Sequence, residues 1–243
     1  MKLISKLTLA GVISLTITAF VATDAIAKGG KNSGDNSTDS STPLDATEAS
    51  HLTFMREEEK LARDVYLTFS GWYPGQQVFA NIATKSEQTH TDTMRDKLAQ
   101  YNVVDPNPNT DENLGIFTGE EWGEYFSEKF TALTDQGNIS ELEALKAGAF
   151  IEELDMHDIA DCPVVMTDAG YPDPCGLNYT DELGLINAYS FLIDGSENHL
   201  RTYVGQIEAV EGNCTYEAQY LSQDEVDAIL GRTCSINKSR KNR

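Results

Sequence analysis

The chain has 243 residues, with 18 Lys+Arg against 39 Asp+Glu for a formal charge of -21, and 40% hydrophobic and 9% aromatic side chains. That is the make-up of a globular protein, neither collagenous nor disordered as a whole. So acidic a chain excludes the Lys/Arg contacts and counterion release by which nucleic acid is gripped, and it is equally unsuited to an anionic membrane surface.

In chain order, residues 1–27 read as a secretory signal peptide. Lys2 and Lys6 precede an apolar run from Leu7 to Ala22, and Ala25-Ile26-Ala27 supplies the small residues of a cleavage site. Residues 28–46 are mostly Gly, Ser, Asn and Asp, with too little apolar surface to offset the entropy of ordering, and read as a flexible linker. The folded domain is expected over 47–234, followed by a basic tail at 235–243.

Within the domain, apolar residues recur at helical spacing in four long segments. Leu52, Met55, Ala62, Tyr66 and Phe69 define a first helix that ends at Gly71 and the Pro74-Gly75 turn. A second, over 76–101, carries Phe79, Ala83, Met94, Leu98 and Tyr101 and stops before Asp105-Pro106. The long connection that follows contains an extra helix, expected to be opened by the capping-box pattern Thr118-Gly119-Glu120-Glu121 ahead of Trp122, Phe126 and Phe130. Ser140-x-x-Glu143 opens the third long helix, with Leu142, Leu145, Ala149, Met156 and Ile159 in line. The fourth, over 181–210, aligns Leu185, Tyr189, Leu192, Tyr203 and Ile207, and a short last helix begins near Ser222-x-x-Glu225. Strand-type alternation is missing, so the fold class is all-α. Two helix pairs joined by a long crossover match the one-crossover bundle.

Cys162, Cys175, Cys214 and Cys234 form an even set in a chain that reads as exported, which points to two disulfides. Of the three pairings, Cys162 with Cys175 and Cys214 with Cys234 is favoured because each closes a short loop. No CxxC spacing supports zinc.

The apolar stripes also contain polar residues, and a buried carboxylate or imidazole is costly unless it is paired, hydrogen-bonded or bound to a metal. The first stripe, 52, 55, 59, 62, 66, 69, centres on Glu59, while Glu57 and Glu58 beside it point elsewhere. The second, 79, 83, 87, 90, 94, 98, is interrupted by Glu87 and His90 at the i, i+3 spacing that aims both at one point. The third, 142, 145, 149, 152, 156, 159, puts Glu152 inside with Asp155 at its edge, and the fourth, 185, 189, 192, 196, 199, 203, buries Ser196 and His199. Carboxylates that bridge and imidazoles that cap are what a pair of iron or manganese ions requires.

On these residues the chain resembles the ferritin-like superfamily, and within it an uncharacterised family of bacterial and archaeal ferritin-like domains. Glu59-Lys60-Leu61-Ala62-Arg63-Asp64-Val65-Tyr66 resembles the Glu-x-x-Ala-Arg-x-x-Tyr of rubrerythrin-type first helices, and Glu87-x-x-His90 matches the second-helix motif. Glu152-x-x-Asp155 is similar to the third-helix pair of carboxylates, while 151–155 and 195–200 resemble signature stretches of the uncharacterised family. The resemblance covers residues 47 to 231. It implies a ferritin-like four-helix bundle with an extra helix in its crossover and a short C-terminal helix. It further implies two iron or manganese ions held by Glu59, Glu87, His90, Glu152, His199 and Asp155, with Tyr66 and Tyr203 as nearby hydrogen-bonding or redox side chains. O2 or peroxide would be the reacting partner, in an oxidase, peroxidase or iron-handling role. The fourth helix departs from the pattern, with Ser196-x-x-His199 where Glu-x-x-His is expected. Glu197 could substitute only if the helix were distorted near Gly195, so one metal is expected to be held more weakly than the other. Oligomerisation is left open.

The competing reading is a non-catalytic helical bundle, an extracytoplasmic binding module whose polar core is merely hydrogen-bonded. A hydrolase is unsupported, since neither Gly-x-Ser-x-Gly nor His-Glu-x-x-His occurs.

Overall fold

The computed structural model describes residues 43–109 and 113–234, and all regular structure among them is helical. The signal peptide, the linker as far as residue 42 and the basic tail lie outside the described residues. Helix α1 (Ala46–Trp72) starts with a closed capping box: Asp45 accepts from the Glu48 N–H at 2.9 Å, and Glu48 accepts from the Asp45 N–H at 3.0 Å. The second long segment is not one regular helix. α2 (Gln77–Asn81) runs into a π-helical turn, Ile82–Glu87, which continues as α3 (Gln88–Gln100). There follow α4 (Gly123–Gly137) in the crossover, α5 (Glu141–Ala160), the short α6 (Val164–Asp168), α7 (Leu183–Glu211) and α8 (Gln223–Ile229).

The start signals of α5 and α8 work as expected. Ser140 accepts from the Glu143 N–H at 3.2 Å, and Ser222 with Glu225 completes a capping box. The Thr118–Glu121 pattern does not. α4 starts only at Gly123, behind Trp122, which makes no side-chain cap. The Thr118 hydroxyl donates instead to the Pro106 carbonyl, and Glu121 accepts from Ser50 and Tyr171. Tertiary partners took the groups that a local cap would have used.

Each of the four long helical segments touches two others in a closed ring: α1 with α3, α3 with α7, α7 with α5, and α5 with α1. α4 lies against α1 and α5 from outside. α1 is therefore surrounded, and the single buried stripe expected of it is corrected. From Phe54 to Tyr66 every residue is buried, including Arg56, Glu57, Glu58, Lys60, Arg63 and Asp64. The crossover supplies partners to Arg56, Glu57, Lys60 and Asp64, whereas Arg63 donates to Gln88 of α3 and to Asp64. Arg56 donates to the Asp105 carboxylate and the Asn107 carbonyl, and Asn107 donates to Glu57 at 3.2 Å. Lys60 pairs with Asp64 and donates to the Asn113 carbonyl at 2.9 Å, while the Gly115 N–H donates to Asp64. Residues that lie off the inward stripe are buried because the connection folds back over that side of α1 and brings charged and backbone groups to meet Arg56, Glu57, Lys60 and Asp64.

The disulfides are Cys162–Cys175 and Cys214–Cys234, the favoured pairing. The first closes a loop whose backbone caps α5: the N–H groups of Gly176, Leu177 and Asn178 donate to the carbonyls of Asp161, Ile159 and Ala160. The second closes a segment held by Glu153, which accepts from the N–H groups of Gln219, Tyr220 and Leu221 and from the Tyr216 hydroxyl. Two such bonds point to a protein kept outside the reducing cytoplasm. No helix among the described residues is long and apolar enough to cross a membrane.

Candidate metal centre

Inside the ring, four helical segments bring their polar residues together at one level. α1 contributes Glu59, the π turn Glu87, α3 His90, α5 Glu152 and α7 His199, all buried. Two groups form. Glu59, Glu87 and His90 offer donor atoms within 4.8 Å of one another, and so do Glu87, Glu152 and His199. Glu87 belongs to both. Its Oε2 lies 3.1 Å from His90 Nδ1 and its Oε1 lies 2.8 Å from His199 Nδ1. The outer carboxylates complete each half, with Glu59 Oε2 3.3 Å from His90 Nδ1 and Glu152 Oε2 3.2 Å from His199 Nδ1. Both histidines thus turn Nδ1 inward, each toward a pair of carboxylates.

Proton affinities follow from that geometry. Burial alone would raise Glu87, but the His199 and His90 imidazoles more than offset it and hold Glu87 well below the usual carboxylate range. Burial alone would depress the histidines; Glu87 and Glu59 instead push His90 up to about 12, and Glu152 and Glu87 push His199 up to about 10. Burial raises Glu59 to about 7 against the opposing pull of His90, and raises Glu152 against His199. Without a metal, protons occupy the gaps between nitrogen and oxygen that a cation would fill. Glu59 Oε1 remains buried with no hydrogen-bond partner. Once that carboxyl is ionised, the oxygen is an acceptor that a cation in the centre could use.

Residues 48–233 match the family described as "Uncharacterized protein domain (DUF2202)". The chain belongs to this family. It is 36% identical over 199 residues to the uncharacterized protein MJ0754 of Methanocaldococcus jannaschii, an alignment covering 82% of this chain and 94% of that protein. The crystal structure of hypothetical protein MJ0754 from Methanococcus jannaschii matches with a TM-score of 0.65 at 36% identity, covering 79% of this chain and 96% of that one. Every residue of the centre in this DUF2202 chain lies inside the matched region.

The remaining expected site residues surround the centre. Asp155 is in neither donor group; its Oδ2 accepts from the Ser196 hydroxyl at 2.5 Å, and its Oδ1 is buried without a partner. Glu197 does not replace the missing carboxylate. α7 runs unbroken past Gly195, and Glu197 pairs with Arg201 at 2.6 Å on the outer face. Each half therefore has one histidine, one outer glutamate and a share of Glu87, so the asymmetry expected from Ser196 is absent from the donor count. Tyr66 donates to Glu152 Oε1 at 2.6 Å, and its ring lies 5.3 Å from that of Tyr203, whose hydroxyl is buried without a hydrogen bond.

Three residues near the centre escape sequence reasoning. Ser86 meets His199, while Glu58 and Asp158 form a second buried acidic group beside Asp155. Burial, Asp158, Asp155 and Glu59 together push Glu58 far above the ordinary range. The sequence points Glu58 away from the inward stripe, yet α1 is covered on that side too and Glu58 is buried. The other two histidines take no part. His51 binds Tyr189 and the Asp158 carbonyl, and burial depresses it to about 4, whereas His157 pairs with Asp158 near the surface.

Gly195 of this DUF2202 chain makes room for one half of the centre. A Cβ there would lie 2.4 Å from His90 Cε1 and Nε2, closer than side chains pack. Gly195→Ala is expected to push the His90 ring off Glu59 and Glu87 and to cost about 1–3 kcal/mol through overpacking. A metal titration should then lose the Glu59–Glu87–His90 half while the other persists. Wild-type binding at both halves would show that His90 has room to move.

Proposed function

We propose that this protein is exported, folds as a ferritin-like four-helix bundle and holds a pair of iron or manganese ions for chemistry with O2 or peroxide, or for iron handling. The observation that carries the reading is the sharing of Glu87 between two buried groups, each completed by one further glutamate and one histidine Nδ1. Hard oxygen donors with borderline nitrogen donors suit these metals, and no thiolate is involved. Glu87 would bridge, Glu59 with His90 would hold one ion, and Glu152 with His199 the other. Bound there, such ions would supply electrons singly or in pairs to a small oxidant. Tyr66 orients Glu152 through its hydroxyl, and the Tyr66–Tyr203 pair packs against that half. The two disulfides and the signal-like first 27 residues support export.

Protein purified without chelator is expected to contain about two ions per chain, iron or manganese, by elemental analysis, matching the two donor groups. A second reading has its own support. With both imidazoles charged, His90 and His199 reach carboxylates at 2.8–3.3 Å, so a metal-free polar core can close. Less than about a tenth of an ion per chain at equilibrium with excess Fe(II) or Mn(II) under anaerobic conditions would favour that non-catalytic bundle and overturn the metal centre, because these ions stand at the weak end of the first-row affinity order and must be measured with free metal present.

A further inference from the structure

The π-helical turn Ile82–Glu87 places two consecutive side chains on one imidazole. His199 Nδ1 lies 2.8 Å from Glu87 Oε1, and its Nε2 lies 2.7 Å from Ser86 Oγ. In a regular α-helix, neighbouring residues point about 100° apart and could hardly flank one ring. The i→i+5 bonding of a π turn spreads each turn over more residues and narrows that angle, and such turns gather at functional sites. The other histidine has no equivalent arrangement: His90 Nε2 lies beside Gly195, which has no side chain to bond it.

The geometry points to Ser86 as the positioning residue that fixes His199 as an Nδ1 donor to the Glu87–Glu152 half of the centre. This rests on the metal-centre reading above. The serine hydroxyl accepts the Nε2–H and rotates its own proton elsewhere, so the ring cannot flip without losing that bond. With Nε2 kept protonated, Nδ1 is the nitrogen left to face Glu87 and Glu152. An outer hydrogen bond of this kind sets the tautomer and orientation of a ligating histidine, and its loss commonly weakens metal binding 10- to 100-fold. The effect is confined to one half of the centre because the Ser86 hydroxyl bonds His199, whereas the hydrogen bonds of His90 go to Glu87 and Glu59.

The test uses the full folded chain and Co(II), followed by its visible absorption in anaerobic titrations. Ser86→Ala is expected to weaken one of two equivalents by about 10- to 100-fold and leave the other within about threefold of wild type. Ser86→Thr, which keeps the hydroxyl, should restore the weakened equivalent. A general packing defect would lower both equivalents together and would not be rescued by threonine, so that result overturns the assignment, as does an unchanged pair of affinities. A second measurement separates this inference from the reading beneath it. In metal-free wild type, a His199 Nε2–H resonance protected from exchange should appear in imidazole 15N spectra and vanish in Ser86→Ala. If that resonance behaves so but wild type takes up no Co(II), the metal centre falls and with it the ligand role. If Co(II) binds but the resonance is identical in both proteins, the metal centre stands and Ser86 does not position the ring.

Discussion

Glu87→Ala is expected to empty both halves of the centre at once, whereas Glu59→Ala or Glu152→Ala should empty only one. Glu87 is the single residue common to the two donor groups, and each of its oxygens faces a different histidine. The affinity loss should exceed the 10- to 100-fold typical of removing an outer partner, and it should appear at both equivalents in an Fe(II) titration under anaerobic conditions. The metal-free fold should suffer too, because His90 and His199 lose the carboxylate between them. Removing one partner of a buried ion pair costs about 3–5 kcal/mol. Glu87→Gln keeps the shape and should isolate the loss of charge from the cavity, with helicity by circular dichroism as the control. Loss of a single equivalent in either variant would mean that Glu87 is not shared.

The second large effect is on pH dependence, and its sign is opposite in the metal-free and metal-loaded forms. Burial raises Glu59 to about 7 and Glu57 to about 7, and pushes Glu58 and Asp155 well above their usual range. A carboxyl whose folded pKa exceeds its unfolded value stabilises fully below the unfolded value, and that contribution is lost as pH rises through the folded one. His90 and His199, raised to about 12 and about 10, act in the same direction at higher pH. Against them stand Glu87, Asp45 and Glu225, held low, and His51, depressed to about 4 by burial, whose contributions are lost in acid; they are outnumbered by the raised groups. The metal-free protein should therefore melt higher at pH 5 than at pH 8. The difference should be on the order of 5 °C or more, since 1 kcal/mol moves the midpoint by about 2–4 °C in a chain of this size. Metal binding needs deprotonated glutamates and free Nδ1 atoms, so it releases protons and strengthens with pH, and the loaded protein should show the reverse order. Calorimetric scans at the two pH values, with and without metal, check both signs. A metal-free midpoint that rises from pH 5 to pH 8 would show that these acids are ionised in the folded core.

Helical periodicity in the sequence locates the four long segments and the residues that face inward from them. Glu59, Glu87, His90, Glu152 and His199 each sit where a 3.6-residue period continues a row of apolar side chains, and that local property survives folding because the same face meets the core. The capping signals at Ser140 and Ser222 are local for the same reason, as are the short loops that paired the cysteines. Contacts between distant segments account for the rest. The burial of Arg56, Glu57, Lys60 and Asp64 depends on a crossover distant in sequence, whose Asp105, Asn107, Asn113 and Gly115 meet them. The failure of Thr118 as a cap has that origin, since Pro106 and Asn107 compete for its hydrogen bonds. The π turn that brings Ser86 and Glu87 onto one imidazole leaves no mark in hydrophobic periodicity, and Glu87 can be seen to serve two histidines only when four segments are set side by side. Periodicity records which way a side chain faces, whereas what it faces is fixed by contacts between residues far apart in the chain.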